Sequence, residues 1–225
     1  MAGMDKTDLI IKAFEAALDL AQNGQESRAW TSLTLIEIAN HANIKMADLY
    51  NIADKDTLTD TLESWADSAM SAEAADMDDT PRERLFDVIM YRFEHMEPHR
   101  PAILSLMKAR EASPTRLAAL LKARRRSARW ALACAGLDTG TPAIKAARAL
   151  GIAWVIAKTE RAWRKDESGD FAHTMATLDA ELTRAQERFK RFESLSRFTP
   201  KTDQAATPEE TSEPEARQDQ TTGPA

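Results

Sequence analysis

Apolar residues return along most of this chain with the period of a helix. In the stretch 33–58, LTLIEIANHANIKMADLYNIADKDTL, Leu35, Ile38, Ala39 and Ala42 fall at i, i+3, i+4 and i+7, one buried helical face. Asn43 follows where the chain must turn, and asparagine tolerates left-handed backbone. Ile44 then buries against the first helix, and Leu49 gives a second helix over 46–52 its apolar contact. The spacing predicts a helix-turn-helix, whose second helix would enter the major groove of DNA. Upstream, Ile10, Phe14, Ala17, Leu18 and Ala21 form the stripe of another helix, with Gly24 as its stop.

Beyond the turn the helix starts are written in capping residues. Asp54, Asp56 and Thr57 open a helix that turns Leu58, Leu62, Trp65 and Ala69 inward, and the acidic SAEAADMDD then separates a head from a core. Thr80, Pro81 and Glu83 spell a capping box with proline at the first helical position. The helix they start presents Leu85, Val88, Ile89, Phe93 and Met96 until Pro98 stops it. Pro101, Ser113-Pro114 and Thr141-Pro142 begin three more, the second ending near Gly136 and the third near Arg164, and a last helix covers 170–192. Nine helices with short connections and no strand pattern predict an all-α bundle. The expected division is a head at 5–70, a helical core at 80–198 and a disordered acidic tail at 199–225, rich in Thr, Glu, Gln and Pro.

Ile38-Ala39, Ala42, Ile44, Leu49-Tyr50, Lys55 and Leu58, with the helix before them, give the N-terminal 70 residues a resemblance to the TetR family of ligand-responsive bacterial regulators. That resemblance implies a TetR-like fold with a homodimer formed through the last two long helices, at 142–164 and 170–192. It also implies a repressor that reads an operator in double-stranded DNA under the control of a small apolar ligand. On the matching positions, Lys45, Tyr50 and Lys55 are the candidate phosphate contacts, and Met46, Ala47 and Asn51 the candidates for base edges. Phe86, Met90, Phe93, Met107, Trp130 and Trp154 are large, adaptable groups from which an apolar ligand pocket can be built, and they equally suit an ordinary core.

Charge complicates the DNA reading. Residues 1–70 hold twelve Asp/Glu against five Lys/Arg, a net of −7 on the part that should meet phosphate. DNA affinity rests on cations that displace counterions, so an acidic reader must concentrate its few at the contact surface. Lys45 stands where family members usually carry a capping Ser or Thr, and Asp48 lies on the recognition helix itself. A helix-turn-helix core that no longer reads DNA is the competing reading. The missing cations reappear later: residues 71–200 hold 23 Lys/Arg against 18 Asp/Glu, and Lys122, Arg124, Arg125, Arg126 and Arg129 cluster on one helix. That cluster reads either as an anion-binding patch or as a solvated helix face.

A second resemblance covers about half the chain. Residues 84–107, the tract with Trp163, Asp166, Ser168, Asp170, Thr174 and Leu178, and Trp65-Ala66-Asp67 look like the ubiquinone-biosynthesis lipid-binding (Coq-nine) family. It implies, as the alternative function, a lipid-binding accessory protein with a helix-turn-helix relic. Phe189, Phe192, Leu195 and Phe198, spaced among Arg188, Lys190, Arg191 and Arg197, would then touch a membrane surface.

Other classes recede. The sequence has no H-E-x-x-H, cysteine pair, glycine-rich phosphate loop or nucleophile elbow, so neither an enzyme nor a cofactor or metal is expected. His95 and His99 stand four apart beside Glu94 and Glu97, but Pro98 breaks the helix that would align them on a metal. With a single cysteine, Cys134, and neither a signal peptide nor a long apolar run, the expected location is the cytoplasm.

Overall fold

The computed structural model describes residues 5–22, 29–111 and 114–197, with side chains between 118 and 191 in the last segment. Its regular elements are nine α-helices: α1 (Lys6–Gln22), α2 (Leu35–His41), α3 (Met46–Leu49), α4 (Lys55–Ser68), α5 (Pro81–Met96), α6 (Arg100–Glu111), α7 (Pro114–Cys134), α8 (Pro142–Trp163) and α9 (Ala172–Arg197). No strand occurs among the described residues. Gly24, Ser113 and the expected tail lie outside them.

The capping residues act as their chemistry requires. Thr80 and Glu83 close a full capping box with Pro81 in the first turn of α5. Thr34 and Glu37 close another at α2. Asp54 accepts from the Thr57 N–H to start α4, and Thr141 accepts from Ile144 to start α8. At the end of α7, Gly136 takes φ +69°, which lets the Leu137 N–H return to the Leu132 carbonyl at 2.7 Å. Pro98 ends α5 through a single 3₁₀ turn, and α6 follows at once.

Packing ties the N-terminal helices directly to the rest. α1 lies on α2, α4 and α6, while α4 also packs on α5 and α7. Phe14, Trp30 and Trp65 meet between them, with ring centroids 6.1 Å and 5.5 Å from Phe14. The two indoles satisfy their N–H groups with Thr59 Oγ1 and Glu15 Oε1, each at 3.1 Å. Trp30 also donates its backbone N–H to Ser105 of α6. At the other side, α7, α8 and α9 run antiparallel in turn. Arg124 of α7 meets Glu160 of α8, Arg148 reaches back to Leu137 and Thr139, and the Arg148 guanidinium lies 4.6 Å from the Phe189 ring of α9. Asp166 in the α8–α9 connection accepts from the Thr174 N–H and hydroxyl; against its burial, these bonds and those from Ser168 hold its carboxyl well below the usual range.

Candidate functional site

The α2–turn–α3 unit is built by a few residues. Ile38, Ala39, Ala42, Ile44 and Leu49 are buried, with α2 packed on α1 and α3 packed on α2. Asn43 takes φ +51°, the left-handed turn expected of it, and the Ile44 N–H bonds to the Ala39 carbonyl at 2.9 Å. The second helix of the unit is shorter than its sequence suggests. It was expected over 46–52, but α3 stops at Leu49, Tyr50 turns extended and Asn51 enters left-handed space at φ +65°. Ile52 and Ala53 both return their N–H groups to the Leu49 carbonyl, which closes the turn. Lys45 occupies the N-cap without any side-chain hydrogen bond, so the first turn is uncapped.

This short helix presents its outer side chains openly. Lys45, Met46, Ala47 and Asn51 are exposed, and Tyr50 is 76% exposed. Lys55 departs from the group. Its ammonium donates to the Leu33 carbonyl and sits 5.7 Å from the Trp30 ring centroid, so it braces the start of α4 against the segment before α2. That position differs from the phosphate contact expected of Lys55, because its ammonium is turned to the protein. Around the face stand the exposed carboxylates of Asp48, Asp54, Asp56 and Asp60.

The expected pocket residues are divided between core and surface. Met90, Phe93 and Met107 are buried and Phe86 packs against them as part of the core, whereas Trp130 is 44% and Trp154 52% exposed. The Trp130 N–H donates to the Asp67 carbonyl, and the Lys158 ammonium lies 4.9 Å from the Trp154 ring. Trp130 and Trp154 thus differ from the other four in being open to solvent. A cleft of about 180 Å³ opens elsewhere, between the acidic connection and α5, lined by Glu73, Asp76, Asp79, Arg84, Asp87 and Tyr91. Ala74, Ala75 and Val88 complete its lining, and the Tyr91 hydroxyl donates to Glu73 at 2.7 Å, which pushes that hydroxyl up to about 12.

The interior between α4 and α8 holds a charge network instead. Arg92 of α5, fully buried, pairs with Glu63 at 2.5 Å and with Asp67, both from α4. Arg110 of α6 reaches Glu63 at 3.1 Å, and Ser127 of α7 donates to Asp67 at 2.7 Å. A second group joins Arg124 of α7 to Glu160 of α8 at 2.5 Å, and Arg164 to Glu160 and Glu111. Burial alone would raise the Glu63 carboxyl, but Arg92, Arg110 and Arg124 outweigh it and bring it to about 2. At Asp67 burial prevails over Arg92 and Ser127, and its carboxyl is raised. Five helices are thus bonded through charges that α4 shares with the head.

The apolar stripes alone do not identify this network, yet the sequence carries a signal of it. Arg92 interrupts the stripe Leu85, Val88, Ile89, Phe93 and Met96, and Arg110 continues Ile103, Leu106 and Met107 at helical spacing. A charge on an apolar stripe demands a buried partner.

Comparison with known proteins agrees with the architecture. No family model matches the sequence, and no curated protein matches it. Among solved structures, the chain is similar to the TetR transcriptional regulator from Nitrosomonas europaea ATCC 19718, with 20% identity and a TM-score of 0.63 over 80% of this chain and 98% of that one. A TetR transcriptional regulator from Rhodococcus sp. RHA1 is similar at 12% identity and TM-score 0.53, over 80% of this chain and 93% of that one. The chain has the all-helical TetR fold.

Proposed function

We propose that the protein is a TetR-type DNA-binding transcriptional regulator acting as a homodimer. The observation that carries the reading is the exposed face Lys45, Met46, Ala47, Tyr50 and Asn51, held by a buried scaffold and covered by no described residue. Lys45 and Tyr50 are assigned to phosphates, Met46, Ala47 and Asn51 to base edges. Two such faces in a dimer would enter successive major grooves about 34–36 Å apart. Exposed acids around the face make affinity depend on few phosphate contacts, so specific base contacts must supply more of the discrimination.

Control in this reading passes through α4. That helix carries Asp54 and Lys55 beside the head and Glu63 and Asp67 inside the core, so anything that repacks the charges of α5–α8 also re-aims the head. The charged interior does not favour an apolar effector at this place. The lipid-accessory alternative gains no support either: Phe189 lies beneath Arg148 and is only partly exposed, and the side chains of Phe192, Leu195 and Phe198 are outside the described set.

The test is genomic DNA capture on the immobilised protein, eluted over a salt series. A few enriched palindromic sites with salt-sensitive retention are expected. A folded dimer that enriches no sequence would remove the regulator assignment.

A further inference from the structure

One exposed surface concentrates cations, of which Arg126 also acts at longer range on the Asp67 carboxylate. On α7, Lys122, Arg125, Arg126 and Arg129 stand at i, i+3, i+4 and i+7, a single stripe of four cations facing away from the core, and all four are exposed. Arg124, on the opposite side of the helix, is spent on Glu160. No described carboxylate lies in ion-pair range of the four exposed ones, and like charges at these spacings cost helix stability. Leu121 and Trp130 border the stripe on its two sides, themselves 59% and 44% exposed.

The chain contains a complementary segment. Residues 198–225 include Asp203, Glu209, Glu210, Glu213, Glu215 and Asp219 against only Lys201 and Arg217. Their starting point is favourable. Because α7, α8 and α9 alternate in direction, α9 ends at Arg197 on the end of the bundle where α7 also ends, at Cys134. Counted from Cys134, the stripe begins about 8 Å back along α7, at Arg129, and reaches about 18 Å, at Lys122; Phe189 is already level with that end through Arg148, so the eight residues on to Arg197 add about 12 Å to each path. Glu209 is twelve residues past Arg197, which spans up to about 40 Å when extended.

We propose that the α7 stripe is the docking surface of the chain's own acidic C-terminal segment, with Glu209, Glu210 and Glu213 against Lys122, Arg125, Arg126 and Arg129. The segment screens the stripe's self-repulsion and occupies a surface that otherwise attracts nucleic acid without regard to sequence. For a regulator with an acidic head, this would keep non-specific DNA off the wrong face.

Zero-length carbodiimide cross-linking of the full chain, mapped by mass spectrometry, tests it. Lys122 is the one amine in the stripe and should join Glu209, Glu210 or Glu213, with the yield falling several-fold at about 0.5 M salt. The R125Q/R126Q/R129Q variant keeps Lys122 yet should lose the product, which separates recruitment by the stripe from mere reach. E209Q/E210Q/E213Q, altered outside every described helix, should bind random-sequence duplex several-fold more tightly than the native chain. Cross-links confined to Lys190 and Lys201, next to the segment's origin, would overturn the proposal. So would unchanged duplex affinity in the glutamine-substituted segment, since the stripe would then be open to other anions throughout.

Discussion

Lys45 and Lys55 are the two lysines of the helix-turn-helix and the start of α4, and the fold gives them different surroundings. Lys45 ends in solvent at an N-cap it does not cap, whereas Lys55 is drawn onto the Leu33 carbonyl beside Trp30. Lys45→Glu should therefore weaken operator binding and reduce the salt slope by about one phosphate contact, with the circular dichroism unchanged. Lys55→Gln should instead lower the melting temperature of the protein before it changes the salt slope. If the two variants exchange these phenotypes in gel-shift and thermal titrations, the assignment of both residues is wrong. Arg92 poses a sharper case. Arg92→Met leaves Glu63 and Asp67 facing each other in the interior without their main cation, which should cost about 3–5 kcal/mol in urea unfolding. The pH dependence should also change sign. In the native chain Glu63, depressed to about 2, supplies stability that is present above the ordinary carboxylate range and is lost as pH falls through that depressed value. Asp67, already raised, works against this trend. Without Arg92 both carboxyls are pushed upward, the folded state binds protons more readily than the unfolded one, and stability should rise on lowering pH from about 7 to about 5. A flat or falling profile in the variant would show that the two acids find other partners.

At the scale of the element, α4 matters most because it joins the head to the charge network. Its start depends on Asp54, whose carboxylate accepts from both the backbone N–H and the hydroxyl of Thr57; those bonds hold the carboxyl below its ordinary range. Asp54→Ala should cost about 1 kcal/mol in denaturant midpoint at neutral pH. The difference from the native chain should shrink as acid protonates Asp54, because a depressed carboxyl stabilises only while it is ionised. A loss that persists undiminished at low pH would place the effect elsewhere than the cap. Such starts were readable in the sequence because a cap is a local event: Asp54, Thr80 with Glu83, and Thr141 each act within one turn of their own position. So was the left-handed turn at Asn43. The length of α3 was not readable, since Tyr50 and Asn51 suit a helix as well as the turn that the Leu49 carbonyl closes. The charge network escaped for another reason. Glu63, Asp67, Arg92, Arg110 and Glu160 are residue types found overwhelmingly at surfaces, and only the three-dimensional meeting of five helices shows them buried with their partners.

For the molecule as a whole, the outer side of α8 is the surface that a second copy would cover. That helix is apolar on more than one side: Ile152, Val155 and Ile156 face the core, while Leu150 is 66% and Trp154 52% exposed on the opposite surface. On α9, Met175 is also exposed. Between Leu150 and Trp154 sits Gly151, and a Cβ built there meets nothing within 4 Å in its own chain. Neither packing nor backbone angle within the subunit asks for glycine at this position, but the close approach of a second α8 would. In a two-fold dimer the same patch meets its copy, so one substitution is felt twice at the interface. Gly151→Leu should accordingly keep the helicity of the separated subunit and raise its urea midpoint slightly, since glycine costs a helix interior about 1 kcal/mol, while raising the dimer dissociation constant at least tenfold, a change of about 1.4 kcal/mol. Leu150→Glu should act in the same direction by placing two desolvated carboxylates across the axis. Sedimentation equilibrium of both variants measures this directly, and operator binding should fall with the dimer fraction, because one recognition face alone spans only one half-site. A Gly151→Leu chain that remains dimeric at nanomolar concentration would place the subunit contact on another face, and would leave the exposed indole of Trp154 to be explained by a different partner.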